Sequence, residues 1–320
     1  MKPSGRARRA LATAGLAAFV VLDLVLVVLA VRSTALSVPS GAASSPAPTS
    51  AAPATTPASP GPSTSEPTQA PAETAEPARR TVAAAGSESV WALDVGRCGQ
   101  PGRVHVSTDG GASWASHDAP GAVTRVRPTG GAAAFAVGGD EECRFLLWNT
   151  ADGGASWSDA GSAAAAWGRD PQNPGLLHRP GGDPVTPCDG ADVVDLSGLR
   201  GGVGAVACGD GTLRSTLDNG DTWAVTLRLD GLAALSLTGP DEGVLAAVGG
   251  DCPGVRLVQL STGTAREARC LEDARPAAGR MSVSVADDTV WVLAGDELLR
   301  GDSAEVAQAT FEPVGGWPGR

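Results

Sequence analysis

The chain has 320 residues, and at about 150 residues per domain that length allows two domains at most. Its 24 Lys and Arg stand against 35 Asp and Glu, a formal net charge of −11. The first 80 residues hold 7 and 4 of these, which leaves 17 against 31 and a net −14 for residues 81–320, a field that repels phosphate backbones and excludes a nucleic-acid partner.

Residues 1–10 read as a cytoplasmic tail, with Lys2, Arg6, Arg8 and Arg9 before an apolar run over residues 11–31. The run is 21 residues long, enough at about 1.5 Å per residue to cross a hydrocarbon core of about 30 Å. After it, Arg32 is the only basic residue before Arg79, so everything beyond the run is predicted to be exported. A secretory apolar region is usually shorter, about 7–15 residues, which favours a retained signal-anchor spanning the membrane once. Asp23 within the run and the small residues around Ala35-Leu36-Ser37 weigh towards cleavage, which would give a secreted protein. Residues 32–80 read as a disordered linker, since residues 39–80 contain only Ala, Pro, Ser, Thr, Gly, Glu, Gln and Arg. Ten of the 24 prolines fall between Pro39 and Pro77, the composition of a semi-rigid spacer. Residues 81–320 remain as one globular domain with ample length for a core.

An eight-residue pattern recurs in that domain. Ser107-x-Asp109-x-Gly111-x-Ser113-Trp114 returns as Thr150-x-Asp152-x-Gly154-x-Ser156-Trp157 and as Thr216-x-Asp218-x-Gly220-x-Thr222-Trp223. Each copy follows a short alternating strand and precedes another, so it is predicted to be a hairpin turn. In such a turn Asp accepts backbone N–H groups, Gly supplies positive φ and the hydroxyl residues bridge back. This pattern resembles the Asp-box of the BNR-repeat family, which includes sialidases, sortilin-like receptors, xyloglucanases and photosystem assembly factors. The resemblance implies an all-β propeller with the box between the third and fourth strands of a blade, on the face opposite the binding face. The Arg-for-Lys bias, with Lys2 the only lysine, resembles a GC-rich, actinobacterial genome.

Blade one is then expected at Thr81–Ala85, Ser89–Val95, Arg103–Ser107 and Ser113–His117. Blade two is expected at Val123–Pro128, Ala132–Val137, Arg144–Asn149 and Ala155–Ser158. The second box follows the first by 43 residues, one blade period, and the third follows by 66. A degenerate blade is therefore expected over Gly161–Cys188, with Leu176–His178 and Val185–Thr186 as poor strands among five prolines. Three more blades follow, at Asp192–Leu229, Leu232–Cys270 and Met281–Phe311. The count is six if the degenerate segment closes a blade, the favoured reading, and five otherwise.

Six cysteines in an exported domain indicate three disulfides among fifteen connectivities. Cys98 to Cys143 and Cys143 to Cys188 are each 45 residues apart, and Cys208 to Cys252 is 44. With Cys188 and Cys208, and Cys252 and Cys270, flanking hairpins, the expected pairs are 98–143, 188–208 and 252–270. With no Cys-x-x-Cys and only His105, His117 and His178, no metal and no cofactor are expected. The same histidines are too scattered for a nucleophilic triad. Gly202-Val-Gly204-Ala-Val-Ala207 matches a loose dinucleotide fingerprint but is followed by no helical pattern.

Sialidases of the resembled family use a Tyr nucleophile, and this chain has neither Tyr nor Ile; Arg127-Pro128 is the nearest remnant of their upstream motif. No catalytic residue is singled out. Glycoside hydrolysis by two carboxylates needs only a suitable pair, and the sequence points to none in particular. Trp167 and Trp317, outside the boxes and strands, are expected to pack, with exposed stacking on a glycan as the lesser reading. Asp140, Glu141, Glu142, Asp210, Asp251 and Asp296 all fall in second-to-third-strand connections and form the candidate binding face; the plainer reading is that turns favour Asp. The expectation is a membrane-anchored, extracytoplasmic propeller that binds an envelope protein or glycan without catalysis, with an extracellular glycoside hydrolase as the alternative. The oligomeric state is not legible.

Overall fold

The computed structural model describes residues 75–319. The predicted tail, the apolar run and most of the linker lie outside the described residues. Among those described, no helix is long and apolar enough to cross a membrane.

Five four-stranded antiparallel sheets follow one another in sequence. Blade one holds β1 (Arg80–Ala85), β2 (Ser89–Asp94), β3 (Arg103–Ser107) and β4 (Ala115–Asp118). Blade two holds β5 (Ala122–Gly130), β6 (Ala133–Gly139), β7 (Phe145–Thr150) and β8 (Ser158–Ser162). A ribbon of β9 (Gly168–Arg169) and β10 (Leu177–His178) precedes blade three, with β11 (Val193–Gly198), β12 (Gly204–Cys208), β13 (Thr212–Thr216) and β14 (Ala224–Arg228). Blade four holds β15 (Leu232–Gly239), β16 (Glu242–Gly249), β17 (Cys252–Ser261) and β18 (Thr264–Leu271); blade five holds β19 (Met281–Ala286), β20 (Thr289–Ala294), β21 (Glu297–Gly301) and β22 (Phe311–Pro313). The first strand of each blade is innermost, and the inner ring runs β1, β5, β9, β11, β15, β19 and back to β1.

The six-blade expectation is corrected to five blades. The segment over Gly161–Cys188 fills the sixth place in the ring with two residues per strand, and Val185 contributes only an isolated bridge to Leu177. Its prolines lack the N–H that a ladder requires, so the segment extends no further into a sheet. The fourth strand of blade two also begins at Ser158 rather than Ala155, because the preceding residues belong to the turn.

Apolar residues from facing sheets form the inter-blade cores. Trp91, Leu93 and Val104 meet Val126, Ala136 and Trp148 between blades one and two. Corresponding clusters join blades three and four, four and five, and five and one, and Trp167 with Leu177 packs the ribbon onto blade three. Strands β12 and β20 are buried along their whole length, and a strand covered on both faces reads as a continuous apolar run. That is why the glycine-rich stretch ending in Gly204-Ala-Val-Ala207 is a turn and a strand, not a nucleotide loop.

The three repeated turns are built alike between third and fourth strands. In the first, Asp109 Oδ1 accepts the Ser113 N–H at 2.9 Å and the Ser107 hydroxyl at 2.8 Å, and Oδ2 accepts the Ser113 hydroxyl at 2.5 Å. Ser107 Oγ in turn accepts the Gly111 N–H at 2.8 Å. Asp152 and Asp218 repeat these bonds with Thr150, Gly154 and Ser156, and with Thr216, Gly220 and Thr222. Gly111 and Gly154 have φ of +92° and +84°, and a Cβ there would stand 2.5 Å from Val314 Cγ1 and 2.8 Å from Val104 Cγ2. Glycine is thus required both by the left-handed backbone and by contact with the preceding blade. The tryptophan ending each turn meets another edge-on: Trp114 with Trp317, Trp157 with Trp91 and Trp223 with Trp167, at 5.0, 6.4 and 6.0 Å between ring centroids. Trp167 and Trp317 are buried in this role.

The disulfides are Cys98–Cys143, Cys188–Cys208 and Cys252–Cys270, the pairing expected from spacing. The first joins blades one and two. Closure between the two ends of the ring is non-covalent: Ser282 and Ser284 of β19 accept the N–H groups of Val82 and Ala84 of β1, each at 3.0 Å.

Two outcomes follow. Ser282→Ala leaves the buried Val82 N–H without a partner, and denaturant unfolding is expected to register a loss of about 1–3 kcal/mol; an unchanged midpoint would mean the ring closes without that bond. The hydroxyl and N–H bonds to Asp109, Asp152 and Asp218 lower each carboxyl from 3.8 to about 2. Because the folded value lies below the unfolded one, their contribution is complete above about pH 4 and disappears as pH falls through about 2. Melting temperature followed from pH 6 to pH 2 is expected to drop over that interval, and less steeply in Asp152→Asn.

Candidate functional site

The inner strands enclose a cavity of about 280 Å³ on the propeller axis, touched by residues of β1, β5, β9, β11, β15 and β19. Its charged lining consists of Arg125 and Arg127 on β5, Arg169 on β9 and Asp195 on β11. Two-residue periodicity places Arg125 and Arg127 on the same side of β5, while Val126 between them enters the core of blades one and two.

The guanidiniums are held by backbone carbonyls. Arg125 donates to Trp167 O at 3.2 Å and Gly198 O at 3.5 Å, and Arg127 donates to Gly198 O at 2.8 Å. Arg169, buried, donates to Val193 O and Val194 O at 3.2 Å and to Ala78 O at 2.5 Å. Burial pushes Arg125 down to about 10, aided by the neighbouring Arg127 charge and opposed by Asp195; burial also lowers Arg127 and Arg169. All three remain cationic at neutral pH. Burial raises Asp195 to about 6 against the N–H groups of Leu235 and Leu196 that it accepts at 3.0 and 2.8 Å. A positive well therefore sits inside a domain of negative net charge.

Among the other lining hydroxyls, Thr124 Oγ1 donates to Arg169 O at 2.7 Å, while serines act as acceptors. Ser197 Oγ accepts the Leu237 N–H and Ser236 Oγ accepts the Val285 N–H, both at 3.0 Å. Together with Asp195, Ser282 and Ser284, they satisfy the exposed edges of the neighbouring inner strands.

The residues of the candidate binding face lie where the strand pattern puts them, in connections between second and third strands on blades two, three, four and five. Four have local partners, Glu142 among them through the Arg144 guanidinium at 3.3 Å. Asp140 closes its own turn, accepting the N–H of Glu142 at 3.1 Å and of Arg144 at 2.8 Å, with the Arg144 guanidinium also on it. Asp210 accepts the Thr212 N–H and hydroxyl, and Asp296 pairs with Arg280. Glu141, Glu142 and Asp251 are exposed. Among the described residues, no three His, Cys, Asp or Glu converge on a point that could hold a metal ion.

One constellation was not legible from spacing. His105 on β3 lies between Ser116 of β4 and Asp94 of β2, with Nδ1···Oγ 2.7 Å and Nε2···Oδ2 3.1 Å. Cross-strand register brings these three strands together, so sequence distance concealed it. Burial alone would raise Asp94, but the bonds from His105 and Arg80 outweigh it and hold the carboxyl at about 2. Ser116 stands exposed on the outermost strand and lines none of the cavities described. With Trp317 packed edge-on against the imidazole at 5.8 Å, the network braces blade one against the C-terminal segment. Arg125 and Asp195 also escaped sequence reading; the Arg-x-Arg alternation on an inner strand is the signal that marks the former.

The chain matches no protein-family model and no curated protein sequence. Among solved structures it is similar to YCF48 from Cyanidioschyzon merolae, at 14% identity and a TM-score of 0.39 over 77% of this chain and 86% of that one. It is similar to the Aleuria aurantia lectin AAL at 10% identity and a TM-score of 0.46, over 76% and 97% of the two chains. The GH74 xyloglucanase from Xanthomonas campestris is similar at 16% identity and a TM-score of 0.29, over 73% of this chain and 37% of the enzyme.

Proposed function

We propose that this chain is a membrane-anchored, extracytoplasmic β-propeller of the Asp-box repeat class that binds a protein or glycan of the cell envelope and does not transform it. The observation that carries this reading is the charge of the axial cavity. Among the described residues Asp195 is its only lining carboxylate, and both its oxygens already accept backbone N–H groups. Glycoside hydrolysis by the common route needs two carboxyl groups about 5–10 Å apart across the scissile bond. The three bonded turns support the Asp-box assignment, and the anchor and compartment rest on the N-terminal sequence.

The hydrolase alternative draws on the same residue. A carboxyl raised to about 6 has the protonation of a general acid near neutral pH. Among the described residues, no second carboxylate lines the cavity to serve as nucleophile or base.

Affinity purification of mildly crosslinked full-length protein from its native membrane separates the readings. A stoichiometric envelope protein or glycan is expected to accompany it. The paired variant Glu141→Lys and Glu142→Lys, at exposed positions, is expected to reduce a protein partner at least tenfold if the acidic face carries the contact. Turnover of a surveyed polysaccharide that Asp195→Asn abolishes would instead establish the hydrolase.

A further inference from the structure

The axial cavity is closed at one end by the chain itself. Residues 75–79, directly before β1, pass over the end of the inner ring on the side of the second-to-third-strand connections. There the Ala78 N–H donates to Val194 O of blade three at 2.9 Å, and Arg169 donates to Ala78 O. One residue later the Arg79 N–H donates to Gly279 O, before blade five, at 2.6 Å. In ring order β11 lies opposite β1, so this strap bridges the mouth. Within the strap Ala78 is 3% exposed, and separate hollows flank the strap, one beside Arg97 and Pro171 and one beside Met281 and Pro276. The buried Arg169, with its three carbonyl partners, is the latch.

The opposite mouth lies on the side of the first-to-second-strand turns, which strand alternation places with the repeated Asp turns. Arg127 is near that end of β5, and the exposed Arg200, in the turn between β11 and β12, directly follows Leu199 of the cavity lining. Arg125 lies deeper, where it reaches Trp167 O and Gly198 O. Ser197, Ser236 and Ser284 each use a lone pair to accept a neighbouring strand's N–H, which leaves their own hydroxyl protons for a ligand. The well thus offers guanidinium and hydroxyl donors, and its one carboxylate is engaged by backbone. A ligand suited to such a lining is an acceptor-only anion, and a guanidinium fork fits a planar or tetrahedral oxyanion by paired hydrogen bonds.

We propose that the axial cavity is a blind well that takes a small oxyanion, a carboxylate or phosphate group, through Arg127 and Arg125 with Arg200 at the rim, entering from the Asp-turn face and not from the acidic face. The site is separate from the acidic connections and stands whether or not those carry a partner.

The test is calorimetric titration of the purified full-length chain, at low ionic strength, with sodium N-acetylglycinate and separately with inorganic phosphate. N-acetylglycinamide serves as the neutral control. Saturable binding of at least one anion, and none of the amide, is expected; which anion binds more tightly identifies the source chemistry. Arg127→Gln is expected to weaken binding at least tenfold, and Arg200→Glu, at an exposed position that leaves folding intact, about threefold or more. Arg144→Ala, on the acidic face, is expected to change nothing. Thermal melts check each variant, and if Arg127→Gln fails to fold, Arg200→Glu decides. Absence of binding by both anions to folded protein, binding unaffected by Arg127→Gln or Arg200→Glu, or loss of binding in Arg144→Ala would overturn the proposal.

Discussion

The innermost strand of a propeller blade is hydrogen-bonded along one edge only, and its other edge presents N–H groups to the axis, where water is scarce. In this protein the side chain of one inner strand satisfies the backbone of the next. Asp195 and Ser197 of β11 accept from β15, Ser236 of β15 accepts from β19, and Ser282 and Ser284 of β19 accept from β1. An unpaired edge is both a desolvation cost and an invitation to pairing with another chain. Here that edge becomes the joint between blades. Each described sheet is made of consecutive strands, so no sheet is shared between the two ends of the ring. The bonds from β19 to β1, and the packing of Val314 and Trp317 onto blade one, take that role.

The repeated turns work on the outer part of the same joints. Each Asp organises a turn whose glycine and tryptophan fit against the preceding blade or, for Asp218, against Trp167 beside the ribbon, so a local hydrogen-bond network sets a contact between neighbours in the ring. The blades without the pattern use other means. Blade four closes its outer hairpin with Thr262-Gly263, both at positive φ, and the Cys252–Cys270 bridge. The proline-rich ribbon, too short to form a blade, is held by Cys188–Cys208 and by Arg169, whose guanidinium binds three carbonyls at once.

These same requirements shape the cavity. Carboxylate and hydroxyl groups on β11, β15 and β19 are engaged as acceptors for neighbouring strands, whereas β5 contributes Arg125 and Arg127. The ribbon at β9 stands where a full blade's inner strand would be, and carbonyls around it draw the guanidiniums inward. A domain with a surplus of carboxylates on its outside consequently has a cationic axis. The proposed binding role rests on this arrangement, in which, among the described residues, one lining carboxyl stands among three guanidiniums.

Local chemistry settled a large part of this architecture. The eight-residue pattern specifies its turn because Asp, Gly and the hydroxyl residues bond within the same few residues, and it announces itself wherever it recurs. Alternation of apolar residues marked most strands of blades one and two within one or two positions, and hairpins flanked by Cys188 and Cys208 and by Cys252 and Cys270, which left Cys98 with Cys143, gave the disulfide pairs. Tertiary structure decided what depends on ring closure. Whether Gly161–Cys188 completes a blade is a matter of how much space blades two and three leave, and its prolines say only that pairing will be poor. Arg125, Arg169 and Asp195 are many residues apart and lie on three different inner strands, so no spacing relates them. The same is true of Ser116, His105 and Asp94, adjacent only through sheet register. Side chains that meet across the axis carry no periodic signature, because their contact is set by the curvature of the whole ring and not by any bond within a blade.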